Sequence, residues 1–327
     1  MKANLKYTLI LSSIILLNSC HNIDDFIPDI ANSLYIFPSG ISEKFKELNS
    51  ADNIFEFDPK VGMICNLPDG SQVEFFANSF LLNGNPVGCK NVKAVIKLIQ
   101  RQKGMIQNNI GTNTDSDGSL ISGGMVYVQV FCEGKELQLA PNRTFAVRLV
   151  LESSQVKDEF EMFYGVEKDN KIVWTEADND PNIQNNVNRA EWSRDSSSKS
   201  LIGIICFPDR LHWINCDYFT KFDSSKTTSP CLLAKIPQSG DSIDLVSYCV
   251  FKNLNAVIFP CCNDQDLGKI CFSSLPLGEK VEYIIIGKGK SNYYLGHIVK
   301  LIEKDEVNTI NLEVKTLEEI KKYISSL

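Results

Sequence analysis

The chain has 327 residues, of which 43% are hydrophobic and 22% charged, a balance that excludes a wholly disordered polymer and suits two domains each burying a core. A net charge of −7 provides no basic face for phosphates, so nucleic acid is not an expected partner. Eleven cysteines are the outlying count, and their meaning depends on the redox compartment.

In the first 20 residues, Lys2 and Lys6 precede an apolar run from Leu9 to Leu17, and Asn18, Ser19 and Cys20 follow, the order of a secretory signal over 1–19. At about nine residues the run is too short to span a membrane, which takes roughly 20. Leu17-Asn18-Ser19-Cys20 resembles the lipobox of bacterial lipoproteins. The resemblance implies cleavage after Ser19, diacylation of the Cys20 thiol and acylation of the new amino terminus, so that lipid on Cys20 joins the chain to a membrane. It also implies the outer membrane, because His21 rather than an acidic residue follows Cys20, and Asp24 with Asp25 is similar to the surface-export signal of some Bacteroidota lipoproteins. Loss of Lys2 and Lys6 leaves 31 basic against 40 acidic residues, a balance of −9, so anionic headgroups add no attraction. Residues 20–47 are expected to form a lipidated tether.

Beyond the tether, short apolar runs bounded by Gly, Pro, Asn and Asp recur, and helical periodicity is scarce, which predicts an all-β chain. Strands are expected at 73–76, 92–99, 125–131 and 144–151, with turns at Asn83-Gly84-Asn85-Pro86, Glu133-Gly134-Lys135 and Pro141-Asn142. A hairpin is expected where 161–164 and 171–174 flank Asp169-Asn170. These make a first β-sandwich over 48–176. Residues 177–199 carry Asn, Asp and a serine run around Trp192 and read as a polar linker. Strands resume at 202 and continue through 211–215, 234–236, 244–251, 256–259, 281–286, 293–299 and 309–314, a second β-sandwich over 200–315. Thr316 and Glu319 form a capping box that opens a short helix at 317–324, so 316–327 is expected to plug the second domain. The predicted fold class is all-β, two tandem β-sandwich domains with a short C-terminal helix.

The stretches FFANSFLLNGNPV (75–87), SGGMVYVQVFCEGKELQLAP (122–141), HWINCDYF (212–219) and LPLGEKVEYIIIG (275–287) resemble those of uncharacterised two-domain surface lipoproteins of Bacteroidota. The resemblance implies a pair of β-sandwiches, the second transthyretin-like, resembling the regulatory modules of some exported carboxypeptidases. It implies no reaction, since fold analogy does not supply one. His212 stands where such relatives are expected to carry glycine.

Several constellations invite chemistry. Gly289-Lys290-Ser291 superficially resembles a phosphate loop, but Ile284 occupies the position of its first glycine and a strand follows, so a hairpin turn is the better reading. Asn113, Asp115 and Asp117 place oxygen ligands on alternate residues and are weak candidates for a cation, although Gly124 stands where a calcium loop needs a bidentate Glu. His212 and Cys216 lie about 13 Å apart on one extended strand, too far to activate each other, and His212 is expected to be half-buried beside Trp213. Adjacent Cys261 and Cys262 are expected to point to opposite faces and so to make a poor zinc pair. No catalytic residue and no cofactor are assigned.

Cys65, Cys89, Cys132, Cys206, Cys216, Cys231, Cys249, Cys261, Cys262 and Cys271 remain after Cys20, an even number that permits full pairing. The seven from Cys206 to Cys271 are the disulfide candidates, with pairing left open; buried thiols are the competing reading, since Cys206, Cys249 and Cys271 sit inside short apolar runs. Trp174, Trp192, Trp213, Tyr293 and Tyr294 are candidates to stack on sugar rings. The leading expectation is a lipid-anchored envelope protein with a binding or scaffolding role and without catalysis, its partners being envelope proteins or surface glycans. The alternatives are a carbohydrate-binding module and a hydrolase of glycan or peptide drawing on Glu176, Asp178 and Asp180.

Overall fold

The computed structural model describes residues 35–36, 45–114, 120–168, 171–177, 187–194, 199–219, 224–237, 242–264 and 268–327. The chain is all-β, in two sandwiches with a short C-terminal helix.

In the first sandwich, one sheet runs Asn188–Trp192, Leu201–Cys206, Ala146–Val150, Gln72–Phe75, Met63–Asn66; we call it the outer sheet. The facing sheet runs Lys171–Glu176, Glu161–Lys168, His212–Phe219, Leu120–Cys132, Val92–Ile99, Asn53–Phe57. Period-two alternation sends Val73 and Phe75, Val147 and Leu149, Ile96, Val126, Val128 and Ile214 into the core between them. The hairpin expected around 169–170 is present, Tyr164 opposing Thr175 and Lys168 opposing Lys171.

The second sandwich pairs a sheet of Tyr35–Ile36, Ile243–Phe251, Lys280–Lys288, Tyr293–Leu301, Glu313–Lys315 with a far sheet of Cys262–Asp264, Lys269–Cys271, Cys231–Lys235, Val307–Asn311. Leu232, Ala234, Ile270 and Ile310 pack against Leu245, Phe251, Tyr283 and Ile285 to form its core. The Gly289-Lys290-Ser291 segment is the hairpin turn between two antiparallel strands, closed by Gly289 N–H donating to the Asn292 carbonyl at 2.9 Å.

Between the two sandwiches lies a third core. Ile99, Leu120, Met125, Phe163 and Trp174 of the first meet Val246, Tyr248, Val250, Ile284 and Ile286 of the second, with Met105 and Ile106 of the helix Gln102–Gln107 and Ile320 and Ile324 of the helix Leu317–Ser325. The strands of 243–251 and 280–288 are therefore apolar on both faces, because each face has a core to fill. The C-terminal helix keeps the expected capping box, Thr316 accepting from the Glu319 N–H while the Glu319 carboxylate accepts from the Thr316 N–H. It packs against the Gln102–Gln107 helix, so it seals the seam rather than plugging the second domain alone.

Three expected boundaries move. The 177–199 segment is not a linker throughout: Asn188–Trp192 pairs antiparallel with Leu201–Cys206, and the Trp192 indole donates to the Gly70 carbonyl at 3.0 Å. The first sandwich ends near Phe219 rather than at 176, since Leu201–Cys206 and His212–Phe219 supply one strand to each of its sheets. The end of the 20–47 tether belongs to the body, because Phe45 is buried in the seam core and Tyr35–Ile36 pairs parallel with Ile243 and Asp244.

Candidate functional site

Alternation along His212–Phe219 buries Ile214 and Cys216 in the first core and puts Trp213 and Asn215 on the seam face. Tyr127 is the register partner of Trp213, and their ring centroids are 4.7 Å apart. The His212 ring stacks on Tyr127 at 5.9 Å and shares a hydrogen bond with Glu136 at 2.7 Å, while Trp174 meets Trp213 edge-on at 6.4 Å. Gly165 makes room for the indole: a Cβ there would lie 2.5 Å from Cβ of Trp213. Lys97, opposite Tyr127, pairs with Asp52 at 3.2 Å. Burial, helped by Glu136, Asp52 and Glu167, pushes the Tyr127 hydroxyl up, so it stays a neutral donor. Half-buried rings bordered by carboxylates and an ammonium make a step able to stack on a sugar ring and hydrogen-bond its hydroxyls.

The other aromatic candidates serve the body. Trp174 is 0% exposed and donates to the Gly111 carbonyl at 2.7 Å; Tyr294 is buried; the Tyr293 hydroxyl donates to Glu47, which also pairs with Lys288. Asn113 is not free to ligate a cation: its side-chain oxygen accepts from the Phe259 N–H at 2.9 Å and its carbonyl from the Trp174 N–H at 3.3 Å, both ties across or beside the seam. Asp115, Asp117, Asp178 and Asp180 lie outside the described residues, and Glu176 is exposed at a strand end. Among the described residues no group of three or more His, Cys, Asp or Glu is arranged to hold a metal ion.

His212 departs from expectation: it is exposed, at φ +76°, a left-handed conformation natural to glycine. Cys216 lies buried, its sulfur 3.3 Å from that of Cys206, so His212 and Cys216 do not form a catalytic pair. His297 instead donates from Nδ1 to Glu282 at 2.9 Å, and Glu282 also accepts from Lys252 at 2.9 Å and from the Tyr323 hydroxyl at 2.6 Å. Burial alone would raise the Glu282 carboxyl; Tyr323 and Lys252 outweigh it and hold the group below the usual range. Here a charge is used to pin the C-terminal helix.

A second polar network crosses the seam. The Asn255 amide donates to the carbonyls of Gln100 at 2.8 Å and Ser122 at 2.6 Å, and the Ser122 hydroxyl donates to Asn215 at 3.0 Å. Asn215 in turn donates to one oxygen of Asp217, whose other oxygen, Oδ1, has no hydrogen-bond partner among the described residues. Burial pushes the Asp217 carboxyl up to about 8 against the pull of Ser122, Asn215 and Gly123.

Cys20 and Ser19 lie outside the described residues. Two disulfides form, Cys89–Cys132 and Cys231–Cys271. The first joins residues outside the candidate set, and nothing in their local sequence signals that the loop holding Cys89 meets the end of the strand Leu120–Cys132. Cys206, Cys216 and Cys249 are buried thiols, whereas Cys271, read with Cys206 and Cys249 as a buried thiol, is oxidised because its register partner across the sheet is Cys231; burial also pushes the Cys65 thiol up to about 12. Cys261 and Cys262 are exposed thiols whose sulfurs are 2.8 Å apart, not on opposite faces, because the strand starts at Cys262 and Cys261 sits on the bend before it.

No family model, no curated protein and no solved structure matches the chain. Fold and surface define its class directly: an all-β protein of two sandwiches fused through a shared core.

Proposed function

We infer that the protein is a lipid-anchored cell-envelope protein whose two sandwiches act as one rigid binding or scaffolding body, without a catalytic role. The shared seam core carries this reading. Domains of one chain move relative to each other unless the interface between them is large and apolar, and this seam is filled by Phe163, Trp174, Tyr248, Phe259 and both helices. A body that cannot flex holds its surfaces at a fixed orientation to the anchor, as a scaffold requires. Asn113, the one described cation candidate, also supports it, since like Asn255 and Glu282 it is spent on holding the parts together. Anchoring rests on the lipobox at Cys20. In cell fractionation, wild type is expected with the membranes and Cys20→Ala in the soluble fraction, with crosslinking on intact cells recovering envelope neighbours from wild type. Membrane partitioning of Cys20→Ala would remove the anchor from the account. Turnover of glycan or peptide by the pure protein, lost in Glu176→Gln, would replace the scaffold with the hydrolase.

The Tyr127–Trp213 step favours a second reading, a carbohydrate-binding surface module. Retention of the wild type on insoluble glycan, lost in Trp213→Ala with unchanged melting temperature, would support it.

A further inference from the structure

The far sheet of the second sandwich aligns three cysteines in one cross-strand row. Cys231 is the register partner of Cys271, and Cys271 is the register partner of Cys262. Directly opposed residues share a sheet face with Cβ atoms about 4.5–5.5 Å apart, so Cys271 has a cysteine on each side. The row faces outward, because the alternate residues Leu232 and Ile270 fill the core. Cys261 completes the group: its thiol donates to the Cys271 carbonyl at 3.3 Å, and its sulfur lies 2.8 Å from that of Cys262. Cys231–Cys271 is a disulfide, Cys262 is an exposed thiol on the edge strand of the sheet, and Cys261 is an exposed thiol on the bend just before it.

We propose that this row is a thiol–disulfide exchange site, in which Cys261 and Cys262 take over the disulfide held by Cys231 and Cys271. The Cys262 thiolate attacks Sγ of Cys271; the Cys262–Cys271 bond forms as the Cys271–Cys231 bond breaks, and Cys231 leaves as a thiolate that takes up the proton Cys262 released. Three cysteines in a row supply the in-line approach that displacement at sulfur needs. The Cys261 thiolate then attacks Sγ of Cys262, forming the Cys261–Cys262 disulfide and freeing Cys271, whose thiolate takes up the proton from Cys261. Two thiols and one disulfide enter and two thiols and one disulfide leave, so no outside oxidant or reductant is consumed. Burial and the neighbouring Cys262 push the Cys261 thiol up to about 11, which makes Cys261 the resolving group rather than the first attacker. The exchange moves the oxidised pair from a staple between two strands to the sheet edge, where the thiol of a partner protein can reach it.

The test is peptide mapping of the full mature chain after equilibration in a glutathione buffer, acid quench and alkylation. The site predicts molecules in which Cys231 is alkylated and the disulfide joins Cys262 to Cys271 or Cys261 to Cys262; Cys262→Ser abolishes these species and leaves the Cys231–Cys271 linkage alone. Cys231→Ser, if it folds, is expected to carry a Cys262–Cys271 disulfide. The proposal is overturned if the wild type shows the Cys231–Cys271 linkage only. It is equally overturned if a Cys261–Cys262 disulfide occurs only in molecules that retain Cys231–Cys271.

Discussion

Asp217 is the residue where the structure makes the sharpest energetic demand. Its carboxyl is buried beside the seam, one oxygen has no hydrogen-bond partner among the described residues, and its folded value stands at about 8 against an ordinary 3.8. Folded protein therefore holds a proton that the unfolded chain releases between those two values. For a carboxyl raised in this way, the contribution to stability is fully present below pH 3.8, falls as pH rises and is lost by about pH 8. At about 1.4 kcal/mol per unit, the whole window amounts to roughly 6 kcal/mol. Asp217→Asn keeps the shape and an acceptor for Asn215, carries no charge at any pH, and places its amide NH2 where Oδ1 has no partner among the described residues, at about 1–3 kcal/mol per unpaired N–H. Urea unfolding of both proteins at about pH 4, 6 and 8, compared as the difference between variant and wild type, cancels the other titrating groups. The difference is expected to grow steadily in favour of the variant as pH rises. Parallel pH profiles for the two proteins would refute the reasoning, because they would mean that Asp217 titrates alike in the folded and unfolded states.

Trp174 fills the seam and donates to Gly111, so Trp174→Ala is expected to cost about 3–5 kcal/mol and to split a single unfolding transition into two, read by calorimetry. His212→Gly relieves the left-handed backbone at φ +76° and gives up the exposed contact to Glu136, for a net stabilisation of up to about 1 kcal/mol in chemical denaturation. Brief alkylation of the native protein is expected to label Cys261 and Cys262 and to spare Cys65, Cys206, Cys216 and Cys249 until denaturant is added, as mass spectrometry would show.

Strand positions were legible wherever one face of a strand meets a core. Val92–Ile99 coincides with its expected span, and the 161–176 hairpin pairs as its turn residues imply. What alternation does not encode is the partner. The strands at 188–192 and 201–219 return to sheets begun more than a hundred residues earlier, and the Asn- and Asp-rich run before them outweighed Trp192, which together with Arg194 holds that edge. Near-continuous apolar runs such as Val281–Gly287 do not say what lies on the second face of the strand, which is the neighbouring sandwich. The sites divide likewise. Asn113 has the right atoms for a cation, and only the fold reveals that a backbone N–H already occupies its oxygen. The three-cysteine row is a property of register between strands some 40 residues apart, which spacing along the chain does not express.

The proposed membrane anchor depends most directly on the chemistry of Cys20. Mass spectrometry of the amino-terminal peptide from the mature protein is expected to find Cys20 as the first residue, bearing a thioether-linked diacylglycerol and an acylated amino group. A mature terminus at another residue, or an unmodified Cys20 thiol, would contradict it.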